Sequence, residues 1–490
     1  MSLQLDSSHS STPYRPDTAA PVDLKAADAR QLRGLALGLW LGGRLDEAIA
    51  VLTEAALLTP GDAVKLAELG SLLSAAGRPA EARGILDEAL RLDPRQTQAW
   101  LTLACVCREL GDTAEAERAW LMTLDIAPNL PEALVGLGLL YTESRRYRTA
   151  ARLLAAAVEA GAASLALFAC LGQAQAYLGE FEKSRIAFES ARRIAPDQGV
   201  IVRRHAFAAL VEAALTAPAE DALALYQNLA GDDARPLDDI GHEAFHVLAG
   251  YRQIGAALRF GRYILERCPD DVIVGFQVDA LLGRAHRRAP DAYLRAMFDK
   301  YAQKFDWHVG EVLEYRVPQQ CAKLLVEAGA KGARVLDLGC GTGIAATHLQ
   351  SVAREIVGVD LSPAMLQLAR DRGLYAELVE SEAVAWLSKA KRVFDVVIAL
   401  DTLIYFGDLS NLFDVAAARL APGGLFAFSY ETQEQSDWTL LPSGRFAHNP
   451  AYVDALASAL GFETVSILST TIRLEANEPV PGRVVLLRRK

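Results

Sequence analysis

Two aspartates and a glycine-rich turn in the C-terminal half have the types and spacing of a nucleotide-binding site. Asp337 opens the segment DLGCGTG (337–343), whose glycines allow backbone to approach a ligand closely. Asp360 follows roughly 20 residues later at the end of an apolar run, where a carboxylate can accept hydrogen bonds from both hydroxyls of a ribose. The turn alone is also typical of dinucleotide sites, so the position of Asp360 carries the expectation of a nucleoside-containing ligand.

Alternating apolar segments are expected to position these residues. Amphipathic stretches separate apolar runs at 334–343, 355–366, 375–387, 394–406 and 423–431. This pattern predicts a parallel sheet with helical crossovers. Ligands bind outside the carboxyl ends of the strands in such a sheet, so both aspartates are expected at one edge.

The segments VLDLGCGTG (335–343) and VDLSPAML (359–366) resemble those of class I S-adenosylmethionine (SAM) methyltransferases, more than those of Rossmann dehydrogenases. The resemblance covers about residues 291–490 and implies a Rossmann-like α/β domain with SAM as the methyl donor. It implies that Asp337 orders the ammonium of SAM, directly or through water, and that Asp360 holds the ribose. The other residues that it places against SAM are Gly339, Cys340 and Gly341 at the methionine part, Leu361, Glu382 and Ala383 at the adenine, and Leu400 at the methionine end.

An aromatic segment before the sheet resembles the lid helix that many small-molecule methyltransferases close over SAM. In MFDKYAQKFDWHVGEVLEYRVP (297–318), Phe298, Tyr301 and Phe305 recur at helical spacing. The resemblance implies a lid helix within 291–318, with Tyr301 and Phe305 against SAM. An apolar lid of this kind excludes water from the sulfonium.

The resemblance places the acceptor side of the site after strands four and five. Tyr405 falls where small-molecule relatives often have a histidine near the acceptor. His448 is a candidate general base, or a group that orients a carboxylate acceptor beside Arg445; the alternative is a surface-loop histidine. The stretch 399–402 lacks the D/N-P-P-Y sequence that accompanies adenine or amide acceptors, which disfavours those acceptors. The remaining acceptor candidates are Tyr430 and Glu431 at the pocket rim and His308 beside the lid.

A 34-residue repeat fills the first half of the chain. Pro60, Pro94 and Pro128 are spaced by one period, and Pro196 follows two periods later. The same period carries small residues and glycines at Ala48, Ala82, Ala116, Ala150, Gly43, Gly77, Gly111 and Gly179. Such units are helix pairs that approach through small residues, turn at glycine and end at proline. They resemble tetratricopeptide (TPR) repeats over about 29–198, which implies a concave surface for a protein partner or a second subunit.

Residues 199–290 are interpreted as degenerate helical repeats. They contain HEAFH, in which His242, Glu243 and His246 match the HExxH pattern of zinc peptidases, with Glu266 further on. The other interpretation is that both histidines lie one turn apart on the ligand-facing side of a repeat helix. Because no peptidase fold surrounds the motif, a partner-contact face is favoured and no metal is expected.

Composition narrows the classes of function. A net charge of −11 over 490 residues disfavours nucleic-acid binding, and no apolar run approaches membrane-spanning length. Six scattered cysteines without a CxxC pair are typical of reduced thiols, so a cytoplasmic location is expected. Residues 1–28, rich in Ser, Pro, Asp and Ala, are expected to form a disordered tail.

An all-α TPR solenoid followed by a Rossmann-like class I methyltransferase domain resembles a bacterial family of TPR-containing methyltransferases. Two functions remain open. The enzyme could methylate a small or carrier-bound metabolite while the repeats bind protein, or it could methylate a polypeptide that docks on the concave face. The test of this choice is whether the fragment 291–490 retains activity on the acceptor.

Overall fold

The computed structural model describes residues 28–307, 309–310, 313, 315–475 and 478–490. The chain divides into two compact units between Asp197 and Gln198. The tail expected over 1–28 lies outside the described residues except for Asp28, whose carboxylate accepts hydrogen bonds from the first turn of the first helix.

The described part of the first unit consists of helices that pack in consecutive pairs. Each first helix begins 34 residues after the previous one, which confirms the helical repeat read from the sequence. The ten helices are α1 (Ala29–Leu41), α2 (Leu45–Leu58), α3 (Ala63–Ala75), α4 (Pro79–Leu92), α5 (Thr97–Glu109), α6 (Thr113–Ile126), α7 (Pro131–Glu143), α8 (Tyr147–Glu159), α9 (Leu165–Tyr177) and α10 (Phe181–Ile194).

Small residues bring the two helices of a pair together, as the repeat predicted. A Cβ atom on Gly138 of α7 would lie 2.7 Å from a side-chain carbon of Leu154 on α8. The glycines that end the first helix of four pairs have φ between 70° and 79°. Arg145 holds the same position in the fourth pair with φ 60°, a conformation that a non-glycine residue adopts at a cost.

Further helices precede the sheet in the second unit. They are α11 (Gly199–Ala214), α12 (Ala219–Ala230), α13 (Leu237–Gly250), α14 (Ile254–Arg267), α15 (Val272–Leu281), α16 (Asp291–Trp307) and α17 (Val317–Glu327). The lid helix expected within 291–318 is therefore α16, which ends at Trp307. Pro318 lies in the first turn of the separate helix α17, where its missing N–H leaves no backbone bond unmade.

The sheet has nine strands in the described residues. They are β1 (Ala333–Leu338), β2 (Ala353–Asp360), β3 (Glu377–Glu380), β4 (Phe394–Ala399), β5 (Leu420–Thr432), β6 (Trp438–Leu440), β7 (Phe446–His448), β8 (Phe462–Glu475) and β9 (Glu478–Arg489). Strands β3, β2, β1, β4 and β5 are adjacent in that order and parallel, and β9 pairs antiparallel with both β5 and β8. The helices along the sheet are α18 (Ile344–His348), α19 (Pro363–Asp371), α20 (Ala383–Lys389), α21 (Ser410–Arg419) and α22 (Pro450–Ala459). The carboxyl ends of β1, β2 and β4 thus meet at one edge, as the α/β expectation required.

The boundary expected between residues 290 and 291 does not separate compact units, because the last repeat helix packs on the methyltransferase half. The ring of Phe276 on α15 lies 4.5 Å from that of Tyr293 on α16. The Ala289 amide donates a hydrogen bond to the Tyr405 carbonyl oxygen at 2.8 Å. Phe276 and Tyr293 form one buried cluster with Phe446 of β7. Repeat-like helices therefore form part of the core of this unit.

This packing predicts different fates for two fragments. Residues 198–490 should fold and bind SAM, whereas 291–490 should aggregate or unfold at much lower denaturant concentration, because it exposes the faces of Tyr293 and Phe446 that Phe276 covers. Circular dichroism during urea unfolding and calorimetric titration with SAM check both fragments. A fragment 291–490 as stable as 198–490 would restore the boundary at residue 290.

Candidate functional site

The glycine-rich turn after β1 is pressed against the end of β4. Gly339 has φ 69°, and a Cβ atom there would lie 2.5 Å from the hydroxyl oxygen of Thr402. That hydroxyl donates a hydrogen bond to the Leu338 carbonyl oxygen at 2.8 Å. Only glycine satisfies both the backbone conformation and the close approach, so the turn keeps a narrow, fixed path.

Asp360 holds this turn to the end of β2. Its Oδ2 accepts a hydrogen bond from the Gly341 amide at 2.9 Å, and its Oδ1 accepts one from the Ser362 amide at 2.8 Å. Burial raises the pKa of the Asp360 carboxyl, while these backbone amides oppose the increase. Each oxygen retains a lone pair that can accept a hydroxyl proton from a ligand.

Asp337 lies at the end of β1 with 2% of its surface exposed. Burial raises its pKa to about 7, against the effect of the Tyr375 hydroxyl, which donates to Oδ2 at 2.7 Å; the charge of Asp360 adds to the increase. Sequence reasoning missed Tyr375, because it lies in the connection between α19 and β3, 38 residues from Asp337, and no spacing rule joins the two.

The two carboxylates fit a cationic ligand. The donors that the structure gives them within the described residues are Tyr375 and the backbone amides of Gly341, Leu361 and Ser362. All of these donors are neutral, so the buried Asp337 and the partly buried Asp360 have no compensating charge beside them. A ligand that brings an ammonium group and vicinal hydroxyls would supply what both lack. SAM and its demethylated product SAH carry these groups, and the residues present therefore fit them.

Two aspartates of α16 hydrogen-bond this helix to the glycine turn and to the start of α19. Asp299 accepts hydrogen bonds from the Ser362 hydroxyl and, at 3.4 Å, from the Ala364 amide. Asp306 accepts hydrogen bonds from the Thr342 hydroxyl and from Arg372. These anchors were not predicted, although the two residues lie about two turns apart on one face of the lid helix.

The aromatic face of α16 covers the same turn. The ring of Phe305 lies 4.0 Å from the position of a Cβ atom on Gly341. Tyr301 and Phe298 meet Phe305 edge to face at centroid distances of 5.6 and 6.3 Å. The structure thus places Phe305 beside the glycine turn and Tyr301 against Phe305. His308, the other candidate in this segment, lies outside the described residues.

The residues expected around the adenine are used differently. The Glu382 carboxylate accepts hydrogen bonds from the Val384 and Ala385 amides at 3.1 and 2.7 Å, at the start of α20 beside Ala383, and it pairs with Arg288 at 3.1 Å. Its role in this structure is to cap a helix, a use that the sequence analysis did not consider. Three further residues were expected to contact SAM. Cys340 is buried in the glycine turn, Leu400 is buried in an apolar cluster, and Leu361 is partly buried against another apolar cluster.

His448 is not at the site, and the expectation of a catalytic base there is wrong. It lies on β7 with no exposed surface, and its Nε2 donates hydrogen bonds to the carbonyl oxygens of Phe406 and Gly407 at 2.8 and 3.1 Å. Burial lowers its pKa to about 4, so the ring is neutral at pH 7. The surface-loop alternative is also wrong, because the ring is buried and is hydrogen-bonded to the segment that follows β4.

Replacing His448 with alanine is expected to lower the free energy of unfolding by about 2–4 kcal/mol at pH 7, because it leaves a cavity and two carbonyls without their donor. The SAM affinity should stay within about twofold. Since the folded-state pKa lies below the unfolded value, the stability that wild type has over the variant should shrink as the pH falls from about 6.5 to 4. Urea unfolding at several pH values measures this; a tenfold loss of SAM affinity would return His448 to the site.

Tyr430 and Glu431 do not form a pocket rim. Tyr430 is 1% exposed and packs with Phe428 in the core on one face of the sheet. Glu431, on the opposite face, is also buried and accepts a hydrogen bond from Arg473 of β8. Because successive residues of a strand point to opposite faces, the two cannot line one pocket.

A charged cluster lies at the carboxyl ends of β4 and β5. Arg473 is fully buried and donates hydrogen bonds to Glu431 and, at 3.0 Å, to Oδ1 of Asp401. Arg445 donates to Glu475 at 3.1 Å. Burial raises the pKa of the Tyr405 phenol, and Arg445 only partly opposes this, so Tyr405 can donate a hydrogen bond but is a poor base. The structure therefore brings Tyr405 and Arg445 together, a pairing that the sequence analysis did not predict.

The HEAFH segment on α13 is already occupied by protein contacts. His242 Nδ1 donates to the Asp238 carbonyl oxygen at 2.7 Å, and its Nε2 lies 2.8 Å from Oδ2 of Asp271. Glu243 pairs with Arg235 at 2.7 Å. In the described part of the chain, no three His, Cys, Asp or Glu side chains are grouped as metal ligands. Nor is any described helix long and apolar enough to cross a bilayer.

Comparison with known proteins gives two family matches. Residues 313–466 match the family described as methyltransferase domain, and residues 73–134 match the tetratricopeptide repeat family. A trans-aconitate 2-methyltransferase of Paracidovorax citrulli is 36% identical over 104 residues, which are 21% of this chain and 40% of that protein. A ubiquinone biosynthesis O-methyltransferase of Stutzerimonas stutzeri is 31% identical over 102 residues, or 20% of this chain and 44% of that protein.

The chain thus spans less than half of the length of these two curated relatives. Among solved structures, the magnesium protoporphyrin IX methyltransferase of Synechocystis PCC 6803 with bound SAH is 19% identical with a TM-score of 0.33, and the match covers 41% of this chain and 99% of that one.

Proposed function

We propose that this chain, which joins TPR repeats to a C-terminal methyltransferase domain, transfers a methyl group from SAM to a small or carrier-bound metabolite. The observation that carries the proposal is the pair of carboxylates at the ends of the adjacent strands β1 and β2, which flank the glycine turn and whose hydrogen-bond donors are all neutral. When bound there, SAM supplies an electrophilic methyl group on a sulfonium.

The residues of the chain would bind and shield the donor. Asp337 accepts hydrogen bonds from the ammonium and Asp360 from the ribose hydroxyls, while the turn at Gly339 lets backbone lie against the methionine part. The helix α16, anchored by Asp299 and Asp306, covers the turn and excludes water. Alignment of donor and acceptor supplies most of the acceleration that such a displacement requires.

Two observations support a metabolite as the acceptor. The relatives that share the sequence of this domain are named for trans-aconitate and for ubiquinone biosynthesis, both small molecules. In addition, α15, α16 and the segment of β6 and β7 pack into one apolar cluster that includes Tyr405, so the second unit itself encloses the region that follows β4. The TPR repeats would then hold a protein partner or a second subunit.

Transfer of label from [methyl-3H]SAM to a cell extract tests the proposal. The full chain should label the low-mass fraction, and Gly339→Val, whose Cβ has no room beside Thr402, should not. Residues 198–490 should label the same metabolite, because the acceptor site lies in the second unit. Label confined to protein, and lost when residues 1–197 are removed, would instead support a protein methyltransferase that docks its substrate on the repeats.

A further inference from the structure

We infer that Asp401 is the catalytic base of this site and that the acceptor atom is a hydroxyl oxygen; the inference rests on the proposed function. Asp401 directly follows Leu400, at the carboxyl end of the central strand β4. The next residue, Thr402, contacts the glycine turn through its hydroxyl. Asp401 therefore lies at the edge where the donor would bind.

The backbone of Asp401 is held in a conformation that costs energy. Its φ is 52°, in the left-handed region that few non-glycine residues adopt. The Asp401 amide donates a hydrogen bond to the hydroxyl oxygen of Ser429 on β5 at 2.8 Å, which fixes this conformation. Strain that the surroundings maintain in this way is typical of functional positions.

The carboxylate is oriented but accessible. Arg473, 1% exposed, donates to Oδ1 at 3.0 Å, while the Asp401 side chain is 32% exposed. Arg473 is itself fixed by its bond to Glu431. One carboxylate oxygen is thus anchored to a buried cation, and the side chain still presents surface to a ligand.

The charges around Asp401 argue against a carboxylate acceptor. The groups that surround it are Tyr315, Tyr405, Glu431, Arg445, Arg473 and Glu475. Arg473 and Glu431 form a buried neutral pair, and Arg445 pairs with Glu475. The cluster thus holds three carboxylates, Asp401 among them, against two guanidinium groups. Its one excess negative charge would repel an anionic acceptor. A neutral hydroxyl would instead find an acceptor for its proton.

The reaction balances with Asp401 in this role. As the carbon–oxygen bond to the acceptor forms, the bond between the methyl carbon and sulfur breaks, and its electron pair stays on sulfur. The hydroxyl proton passes to the Asp401 carboxylate and later to water. The positive charge of the sulfonium and the negative charge of the carboxylate thus disappear together. A carboxylate acceptor would need no base, whereas a hydroxyl does.

Three proteins test the inference: wild type, Asp401→Asn and Asp395→Asn. Asparagine tolerates the left-handed conformation but cannot take a proton. Asp395 is a matched control, because it lies at the other end of β4 and is similarly exposed, and because its carboxylate accepts one hydrogen bond, from the Arg334 amide at 2.8 Å. Each protein is incubated with [methyl-13C]SAM and a low-mass cell extract, the SAM affinity is measured by calorimetry, and the labelled product is analysed by carbon-13 NMR.

The wild-type product should be a methyl ether. At pH 7 Asp401→Asn should transfer methyl at least about 100-fold more slowly with SAM affinity within twofold of wild type, and Asp395→Asn should match wild type. The residual rate of Asp401→Asn should rise steeply with pH, since only hydroxide then removes the proton; a purely structural role would not change the pH profile.

Several outcomes would overturn the inference. A methyl ester or an N-methyl product contradicts the hydroxyl acceptor, and an undiminished rate in Asp401→Asn contradicts the base. If that variant loses SAM binding, Ser429→Ala serves instead: it keeps the carboxylate but frees its backbone, and should slow transfer while SAM affinity is kept. An unchanged rate in Ser429→Ala would count against the inference. If wild type binds SAM but labels nothing, the proposed function itself fails.

Discussion

Replacing Asp360 with alanine is expected to weaken SAM binding by roughly 10- to 150-fold, equivalent to about 1.5–3 kcal/mol. The variant removes the acceptor of the ribose hydroxyls. It also removes the link between Gly341 and the end of β2, since each carboxylate oxygen accepts a backbone hydrogen bond. Because the lost ribose acceptor and the loosened glycine turn both weaken the SAM site, we expect a decrease in affinity at the upper end of this range.

Calorimetric titration with SAM measures this loss. Asp371→Ala is the control, because Asp371 ends the neighbouring helix α19 and is bonded to Gln367 on the surface. Asp360→Asn should weaken SAM binding by less than Asp360→Ala does. It keeps one side-chain oxygen as an acceptor, but its NH2 group would face one of the backbone N–H groups that now donate to the carboxylate. Wild-type affinity in Asp360→Ala would show that the ribose binds elsewhere.

SAM binding is expected to release a proton from Asp337. Burial raises the pKa of this carboxyl to about 7 in the free protein, so more of the molecules carry the proton at pH 6.5 than at pH 8. An ammonium group beside it favours the ionised form and displaces the proton. The contribution of Asp337 to affinity therefore increases with pH up to about 7 and then levels off.

Calorimetry in two buffers of different ionisation enthalpy counts the protons released. The difference between wild type and Asp337→Asn isolates the part due to Asp337, because the amino group of SAM itself titrates equally in both experiments. The variant should also bind SAM roughly 10- to 100-fold more weakly at pH 8. Equal proton counts at pH 6.5 would place the ammonium away from Asp337.

The SAM-binding half of the site was predictable because the residues that form it are close together in the sequence. A strand, a glycine turn and an acidic residue at the end of the next strand are close in sequence, so Asp337, Gly339 and Asp360 could be placed at one sheet edge without coordinates. The repeat half was predictable for the same reason, since each helix pair contacts mainly its neighbours in the chain.

The acceptor half depends on contacts between distant segments. Arg473 reaches Asp401 across 72 residues of sequence, and no spacing connects them. His448 was misinterpreted because its sequence position suggests a loop, whereas β7 pairs with β5 and buries the ring. The packing of α15 on α16 could not be predicted, because a repeat pattern shows how helices pair, not which sheet or helix their outer face covers.

A crystal structure of the full chain with SAH tests the central claim most directly. The ribose hydroxyls should donate to the two oxygens of Asp360, the amino group should lie within hydrogen-bond distance of Asp337, and Phe305 should remain over the turn at Gly341. SAH bound away from the carboxyl ends of β1 and β2, or with its ribose turned from Asp360, would contradict the account.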